Sequence, residues 1–153
     1  MRIGVISDTH GLLRPEAVDA LCRSDLIVHA GDIGDPDILK RLERIAPLKA
    51  IRGNIDKWAT DMPDTEFFEV DGRYVHVLHD IKTLDLDPPA AGLDVVICGH
   101  SHRPDSYTED GVLYLNPGSA GPRRFSLPIT LAELVLDADE IRAEIVTLVF
   151  PQE

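Results

Sequence analysis

The sequence predicts a single α/β domain over residues 1–153, built as a two-layered mixed β-sandwich flanked by helices. Three observations lead to this prediction. The chain has 153 residues, which is the size of one ordinary domain. Strand and helix patterns alternate over roughly the first 50 residues, which is typical of crossover units. Beyond residue 65, two Asp-Gly pairs mark tight turns between short apolar runs, as antiparallel hairpins require.

The first third of the chain predicts a parallel sheet with two helices. Apolar strands are expected at residues 2–7, 25–30 and 48–52. A helix begins at Pro15, and its inner face is predicted from helical spacing as Ala17, Val18, Ala20 and Leu21. A second helix follows an Asp35 N-cap and Pro36, with apolar positions Ile38, Leu39, Leu42 and Ile45. Strand, helix, strand, helix, strand predicts two right-handed crossovers on one sheet.

The remainder of the chain predicts mostly strands. Asp71-Gly72 joins strands at residues 67–70 and 73–78, and Asp110-Gly111 joins strands at 105–108 and 112–115. Residues 94–98 form a further buried strand. The alternating residues from Ile141 to Val149 suit a half-buried strand near the end of the chain. Pro88-Pro89 excludes a long helix between residues 80 and 93.

The charge of the chain limits its partners. Fifteen Lys and Arg stand against 27 Asp and Glu, giving a formal net charge of −12. Such a surface repels duplex phosphate, so stable duplex nucleic-acid binding is not expected. A small phosphorylated substrate remains compatible, because bound divalent cations would reverse the local charge. The sequence leaves open whether the chain forms a homo-oligomer.

Composition also predicts a cytoplasmic protein. No apolar run approaches the roughly 20 residues of a membrane helix. The N-terminal apolar run turns polar at Ser7 and Asp8, too early for a signal peptide. Cys22 and Cys98 form no CxxC pair, so we expect two buried, reduced thiols rather than a disulfide or a zinc ribbon.

Polar side chains with metal-binding chemistry recur where the predicted strands end. In α/β sheets such strand ends share one edge, where sites are commonly built. Each motif is weak alone, but their succession along the chain is a strong combined signal. The candidate site residues are Asp8, His10, Asp32, Asn54, His79, His100 and His102.

These motifs resemble the signature of the calcineurin-like metallophosphoesterases: Asp8-Thr9-His10, Gly31-Asp32, Gly53-Asn54, His79 and Gly99-His100-Ser101-His102. The short chain and Asn116-Pro117-Gly118-Ser119 are similar to the small bacterial and archaeal phosphodiesterases of that superfamily. The resemblance implies two metal ions. Asp8, His10, Asp32 and His102 would hold one, and Asp32, Asn54, His79 and His100 the other, with Asp32 as the bridge.

The ligand types agree with this expectation. Imidazole and carboxylate without thiolate suit divalent Mn first, with Ni, Fe or Zn as alternatives. Two ions about 3.5–4 Å apart can hold a hydroxide between them and clamp phosphate oxygens for in-line attack. No Ser, Cys or His nucleophile is then needed. The predicted activity is hydrolysis of small phosphodiesters. The alternatives are a phosphomonoesterase or nucleotidase on the same site, or a protein-binding scaffold like the phosphoesterase-like subunit of retromer.

Several residues have a second interpretation. Asp8 and Asp32 could cap the helices that follow them, and Asn54 could serve only as a turn residue. Asp56 is either a residue that orients a ligand or the end of a turn, and Trp58 is either core or pocket wall. His29 and His76 are interpreted as structural histidines within strands. Arg123 and Arg124 are either a solvated pair or a clamp on substrate phosphate.

Two positions depart from the superfamily pattern. Many members have His directly after the Gly-Asn pair, where it serves the leaving group, but this chain has Ile55. Small phosphodiesterases of the superfamily also lack that His. Asp80 follows His79 where Gly is usual, and the 81–93 segment is shorter than usual. Both features bear on the rim of the site and on substrate preference.

Overall fold

The computed structural model describes residues 1–149, which form two five-stranded sheets with two short helices. In chain order the elements are β1 (Arg2–Ile6), α1 (Pro15–Leu21), β2 (Leu26–His29), α2 (Pro36–Glu43), β3 (Leu48–Ala50), β4 (Thr65–Val70), β5 (Arg73–Leu78), a 3₁₀ turn (Ile81–Thr83), β6 (Val95–Ile97), β7 (Asp105–Glu109), β8 (Val112–Asn116), β9 (Ile129–Leu136) and β10 (Ile141–Val149). The predicted α/β sandwich is confirmed.

The first sheet has the strand order β10-β9-β1-β2-β3. Strands β1, β2 and β3 are parallel neighbours, as the two predicted crossovers require. Strand β9, which pairs antiparallel with both β1 and β10, was not predicted from the sequence. Almost all of β9 is buried, because it lies in the middle of the layered structure. A strand covered on both faces lacks the alternation of polar and apolar residues that would have predicted it.

The second sheet has the strand order β4-β5-β6-β8-β7. Strands β5, β6 and β8 are parallel, and the two predicted hairpins add β4 and β7 at the edges. Asp71-Gly72 and Asp110-Gly111 have positive φ at both turn residues, with values of 49°, 80°, 50° and 80°. Two successive positive φ angles match the twist of a two-residue hairpin, so both predicted turns are confirmed.

The main core lies between the two sheets and contains side chains from both, including Val5, Val28, Val77 and Ile97. Helices α1 and α2 cover the other face of the first sheet. Their side chains in this second apolar cluster are Ala17, Leu21, Ile38 and Leu42. The segment from Ile81 to Leu93 covers part of the outer face of the second sheet. Only a single 3₁₀ turn forms there, which agrees with the Pro88-Pro89 prediction.

Two predictions about α1 were wrong. Ala20 was expected on the inner face and Cys22 in the core, but both are exposed. The helix ends at Leu21, so Cys22 is its C-cap residue, and Leu21 fills the apolar contact instead. Cys98 is buried as expected, and both cysteines are free. None of the helices in the described part of the chain has the length and hydropathy needed to cross a bilayer.

Candidate metal centre

The predicted site residues converge in two groups at the carboxyl ends of the strands. Asp8, His10 and His102 form the first trio, and Asp32, His79 and His100 form the second; within each trio the potential ligand atoms lie within 4.8 Å of one another. Asp8, His10 and Asp32 follow β1 and β2 of the first sheet, whereas the other three histidines follow β5 and β6 of the second. The centre is therefore built where the two layers meet.

The two trios are adjacent. Asp32 Oδ2 lies 3.2 Å from His79 Nε2 and 3.5 Å from His10 Nε2, so it contacts a member of each trio. Asp8 Oδ1 lies 3.4 Å from His102 Nε2 and 3.6 Å from His10 Nε2. Ligand atoms that are each about 2.1 Å from one ion are separated by about 3–3.5 Å. These spacings therefore suit shared cations, with Asp32 between them.

Backbone conformation brings the ligands inward. Eight residues other than glycine have positive φ among the described residues, and five of them are Asp8, His10, Asp32, His100 and His102. The left-handed region is unfavourable for residues with a side chain and is found where the surroundings impose it, often at functional sites. Here it turns the chain sharply at the exits of β1, β2 and β6, so that successive polar side chains are presented at the same edge.

The glycines of the motifs make room for the carboxylates. A Cβ at Gly53 would collide with the Asp32 carboxylate and backbone, and one at Gly99 would collide with Ser7 and come within 2.7 Å of Asp8 Oδ2. A Cβ at Gly31 would come within 2.7 Å of His79 Nδ1. The Gly-Asp, Gly-Asn and Gly-His pairs therefore have a packing cause, since each glycine lies directly against a predicted ligand of another strand.

Hydrogen bonds hold each carboxylate by one oxygen. Asp8 Oδ2 accepts from Ser7 Oγ at 2.7 Å and from the His100 backbone N–H at 3.0 Å, and Asp32 Oδ1 accepts from the Ile55 N–H at 3.2 Å. Burial alone would raise both pKa values. Their hydrogen-bonding and ionic partners nevertheless lower the pKa of Asp8, chiefly through His10 and His102, and that of Asp32, chiefly through His79. Both side chains are therefore carboxylates at neutral pH.

The tautomer of His79 is set by the backbone. Its Nδ1 lies 2.7 Å from the Ala30 carbonyl, which can only accept, so Nδ1 donates and Nε2 is directed to the centre. Burial alone would lower the pKa of His79, but Asp32, the Ala30 carbonyl and Asp8 raise it to about 9. A proton is thus attracted to the place between two carboxylates where a cation would bind.

Unpaired polar atoms show that these residues fit a metal. Five buried side-chain atoms have no hydrogen-bond partner in the described part of the chain, and four belong to the site: Asp8 Oδ1, His10 Nε2, His79 Nε2 and His102 Nδ1. Buried polar groups are normally paired, so such a concentration requires an explanation. Coordination to divalent ions supplies one, and the carboxylate and imidazole donors suit such ions.

Asp56 supports the centre without belonging to either trio. It is 1% exposed and accepts from the backbone N–H groups of Ile33 (3.0 Å), Gly34 (3.0 Å) and Gly53 (2.8 Å). These contacts join the turn that carries Asp32 to the turn that carries Asn54. The sequence left the role of Asp56 open, because its partners Ile33 and Gly34 lie more than 20 residues away along the chain. The structure favours the orienting role.

Asn54 lies on the side of the second trio. It is exposed and lines a cavity of about 410 Å³ together with His79, Asp80 and His100. Asp80, which stands where the superfamily usually has Gly, lines the same cavity. One of its carboxylate oxygens accepts from the Lys82 N–H at 3.0 Å and so caps the 3₁₀ turn. The other oxygen lies 3.8 Å from His100 Nε2.

Arg123 and Arg124 lie on the side of the first trio. Both line a cavity of about 500 Å³ that is also lined by His10 and His102. Arg123 donates through Nη1 to the Leu127 carbonyl at 3.1 Å, whereas the Arg124 side chain is exposed. The pair thus lies beside the first trio, and its contact with substrate phosphate stays a prediction.

The remaining polar candidates belong to neither trio. His29 is fully buried and structural, because its Nδ1 accepts from the Gly31 N–H at 3.1 Å and its Nε2 lies 3.0 Å from the Thr9 hydroxyl. His76 is buried in β5, and its Nδ1 has no hydrogen-bond partner in residues 1–149. Trp58 is 39% exposed. Burial raises the pKa of the Cys98 thiol to about 12, and this thiol belongs to neither trio.

Comparison with known proteins agrees with this geometry. The family model of the calcineurin-like phosphoesterase superfamily domain matches residues 1–139. The chain belongs to this superfamily. A probable metallophosphoesterase from Methanothermobacter thermautotrophicus is 38% identical over an alignment of 159 positions, which covers 95% of this chain and 92% of the relative.

Two solved structures have a similar fold. A structure described as a novel archaeal phosphodiesterase matches with a TM-score of 0.77 and 26% identity, over 95% of this chain and 100% of that one. Vps29 from Chaetomium thermophilum matches with a TM-score of 0.79 over 99% of this chain and 98% of its own. At 18% identity, the second likeness shows the fold alone.

Proposed function

We propose that this metallophosphoesterase is a phosphodiesterase that hydrolyses small phosphodiesters with two divalent metal ions, Mn first among them. The observation that carries the proposal is the pair of trios, in which one buried atom each of Asp8, His10, His79 and His102 has no hydrogen-bond partner in the described structure. Asp8, His10 and His102 would hold one ion, and His79, His100 and Asn54 the other. Asp32 would be shared, since its Oδ2 lies near His10 and His79.

Two divalent ions, when bound, supply a nucleophile at neutral pH and stabilise charge on the phosphoryl oxygens. The protein residues contribute fixed orientation. Ser7 donates a hydrogen bond to Asp8, and Asp56 joins the two metal-binding turns. The Ala30 carbonyl accepts a hydrogen bond from His79. No step requires a side-chain nucleophile, and the buried Cys98 thiol is too basic to provide one.

Two observations support a diester rather than a monoester as substrate. The solved archaeal phosphodiesterase is similar over nearly the whole chain. In addition, cavities of about 410 and 500 Å³ contain histidines of the second and first trio, respectively. A phosphodiester has two organic substituents, and a separate cavity beside each trio gives each substituent a place. The charge of −12 further supports a small substrate over a nucleic-acid duplex.

A substrate panel tests this proposal. Bis(p-nitrophenyl) phosphate and p-nitrophenyl phosphate should be assayed with Mn, Ni, Zn, Fe and Mg, on protein whose metal content is measured. We expect faster turnover of the diester and about two bound ions per chain. Faster turnover of the monoester would favour the nucleotidase alternative. Absence of bound metal and of turnover would favour the scaffold alternative.

Ile55 leads to a prediction about the leaving group. Its side chain is 41% exposed beside Asp32, to which its backbone N–H donates, and it offers no proton. An alkoxide leaving group therefore lacks a proton donor at this position. We expect aryl diesters to react faster than alkyl diesters, and the Ile55→His variant to accelerate alkyl diesters selectively. Equal rates for the two substrate types, with chemistry rate-limiting, would contradict this expectation.

A further inference from the structure

Phe125 combines two unfavourable properties at one position. Its side chain is 87% exposed and its φ angle is 54°. It lies in a turn closed by a hydrogen bond of 3.2 Å from Leu127 N–H to the Arg124 carbonyl. The position after the first residue of such a turn normally takes Gly or Asn when φ is positive. A bulky aromatic residue there contributes nothing to the core, so folding alone gives no reason for it.

The segment before Phe125 is held beside the metal centre by hydrogen bonds and close packing. Ser119 Oγ donates to the Asp8 carbonyl at 2.9 Å, and the Ala120 N–H donates to the Ser7 carbonyl at 3.2 Å. Gly121 packs so closely on Thr9 that a Cβ would collide with its backbone. Four residues span at most about 14 Å, so Phe125 is kept beside the strand exit that carries Asp8 and His10.

Phe125 lines the cavity of about 500 Å³ beside the first trio, together with Pro122, Arg123, Arg124, His10 and His102. The hydrogen bond from Arg123 to the Leu127 carbonyl spans the turn and braces it. The same cavity is thus lined by two predicted metal ligands, by two arginines and by an exposed aromatic ring.

We propose that Phe125 is a specificity-determining residue whose ring stacks on an aromatic or heteroaromatic substituent of the phosphoester, such as a nucleobase. The proposal rests on the proposed function, since it names the substrate class of the same site. An aromatic face gains contact from any flat ring system, and stacking of this kind is tolerant of the identity of the base. Arg124 would place positive charge near the phosphoryl group or near a substrate group next to it. An aliphatic substituent would gain much less from a flat ring.

Binding of two phosphonates tests the proposal without turnover. Phenylphosphonate and methylphosphonate carry the same anionic group but differ in the ring, and their affinities for the Mn-loaded protein can be measured by calorimetry. We expect Phe125→Gly and Phe125→Leu to weaken phenylphosphonate about fivefold or more, and methylphosphonate less than twofold. Glycine accepts the positive φ, so the first variant is expected to fold at least as well as the wild type.

Phe67→Leu is the matched control, because Phe67 is also an exposed phenylalanine (52%) but lies on the edge strand β4. It should leave both affinities unchanged. Unchanged phenylphosphonate affinity in the Phe125 variants, or equal weakening of both phosphonates, would overturn the stacking role while leaving the phosphoester site in place. Failure of the wild-type protein to bind either phosphonate would instead overturn the phosphoester site itself, and the stacking role with it.

Discussion

At the scale of single residues, several candidate ligands are held by the protein at one polar atom and left free at another. Asp8 Oδ2 has two donors while Asp8 Oδ1 has none. Nδ1 of His79 donates to a carbonyl while its Nε2 has no partner in the described structure. This division fixes the orientation of a ligand before a metal arrives, and such supporting contacts commonly set metal affinity.

Asp32→Asn tests the shared carboxylate. The substitution keeps the size of the side chain and one carbonyl oxygen but removes the charge between two cations that otherwise repel each other. We expect loss of at least one metal ion and a larger fall in turnover than for Asn54→Ala, which affects one ion only. The fold should persist, since the sheets form without Asp32. Metal content, turnover and circular dichroism of one preparation check this; retention of both ions with near-normal turnover would assign the bridge elsewhere.

His29 predicts how stability depends on pH. Thr9 Oγ1 donates to the Ile33 carbonyl, so it accepts from His29 Nε2–H, while Nδ1 accepts from Gly31. Both nitrogens are satisfied only in the neutral ring, and burial lowers the pKa of His29 from its usual value of 6.5 to about 4. The unfolded chain therefore binds more protons between these values.

The contribution of His29 is fully present above pH 6.5 and is lost as pH falls towards 4; from the pKa difference it amounts to about 3 kcal/mol. Urea unfolding of the metal-free protein at several pH values measures it. His29→Gln should show a smaller fall in the free energy of unfolding over that interval, because its side chain does not titrate. Parallel curves for the two proteins would contradict the assignment.

At the scale of the elements, the strand exits carry both the ligands and the glycines that allow them to approach each other. The turn after β6 shows this dependence best: Gly99 lies against the Ser7–Asp8 pair after β1, and His100 donates from its backbone to Asp8. The two sheets can approach at this point only because one residue has no side chain.

Gly99→Ala should therefore damage the centre more than the fold. Its Cβ would displace Ser7 and Asp8, so we expect metal affinity to fall about tenfold or more. Gly72→Ala is the control, since it lies in open space in the β4–β5 turn and has φ of 80°. It should cost about 1 kcal/mol of stability through backbone strain and leave metal affinity unchanged. Metal titration and thermal unfolding of both variants separate the two effects; equal metal affinities would contradict the packing argument.

Sequence patterns predicted those elements whose local chemistry is unambiguous. The hairpins at Asp71-Gly72 and Asp110-Gly111 and the helix behind Asp35-Pro36 depend on nearby residues and could be found from them. Strand β9 could not be found, since it owes its burial to layers on both faces. The same limit applies to Asp56, whose role arises from backbone groups brought together only by the fold.

The candidate site was more predictable than the fold around it. Six of the seven named residues fall into the two trios. The carboxyl ends of neighbouring parallel strands lie at the same edge of a sheet, and this does not depend on how the core side chains pack. Asn54 is placed in the adjacent cavity. Phe125 could not be singled out from the sequence, since its importance depends on a positive φ and on exposure, and neither is encoded by a local motif.

At the scale of the whole molecule, the centre joins the two sheets. Asp8, His10 and Asp32 follow strands of the first sheet, and His79, His100 and His102 follow strands of the second. The layers are otherwise held by the apolar core between the two sheets. In the metal-free protein, two buried carboxylates and four imidazoles thus meet at the edge with few hydrogen bonds between them.

Metal binding should therefore stabilise the whole domain against unfolding and not only order the site. A ligand that binds the folded state alone, present at 100 times its dissociation constant, adds about 2.7 kcal/mol to the free energy of unfolding. For a domain of this size we expect the Tm to rise by about 5–10 °C with Mn compared with chelator-treated protein.

Amide exchange should slow at the carboxyl ends of β1 and β2 and also of β5 and β6, since the ions connect both sheets. Asp32→Asn should show a smaller rise in Tm, because it keeps at most one complete site. Protection confined to one sheet, in protein shown by elemental analysis to hold its metal, would mean that the ions are bound by ligands of that layer alone.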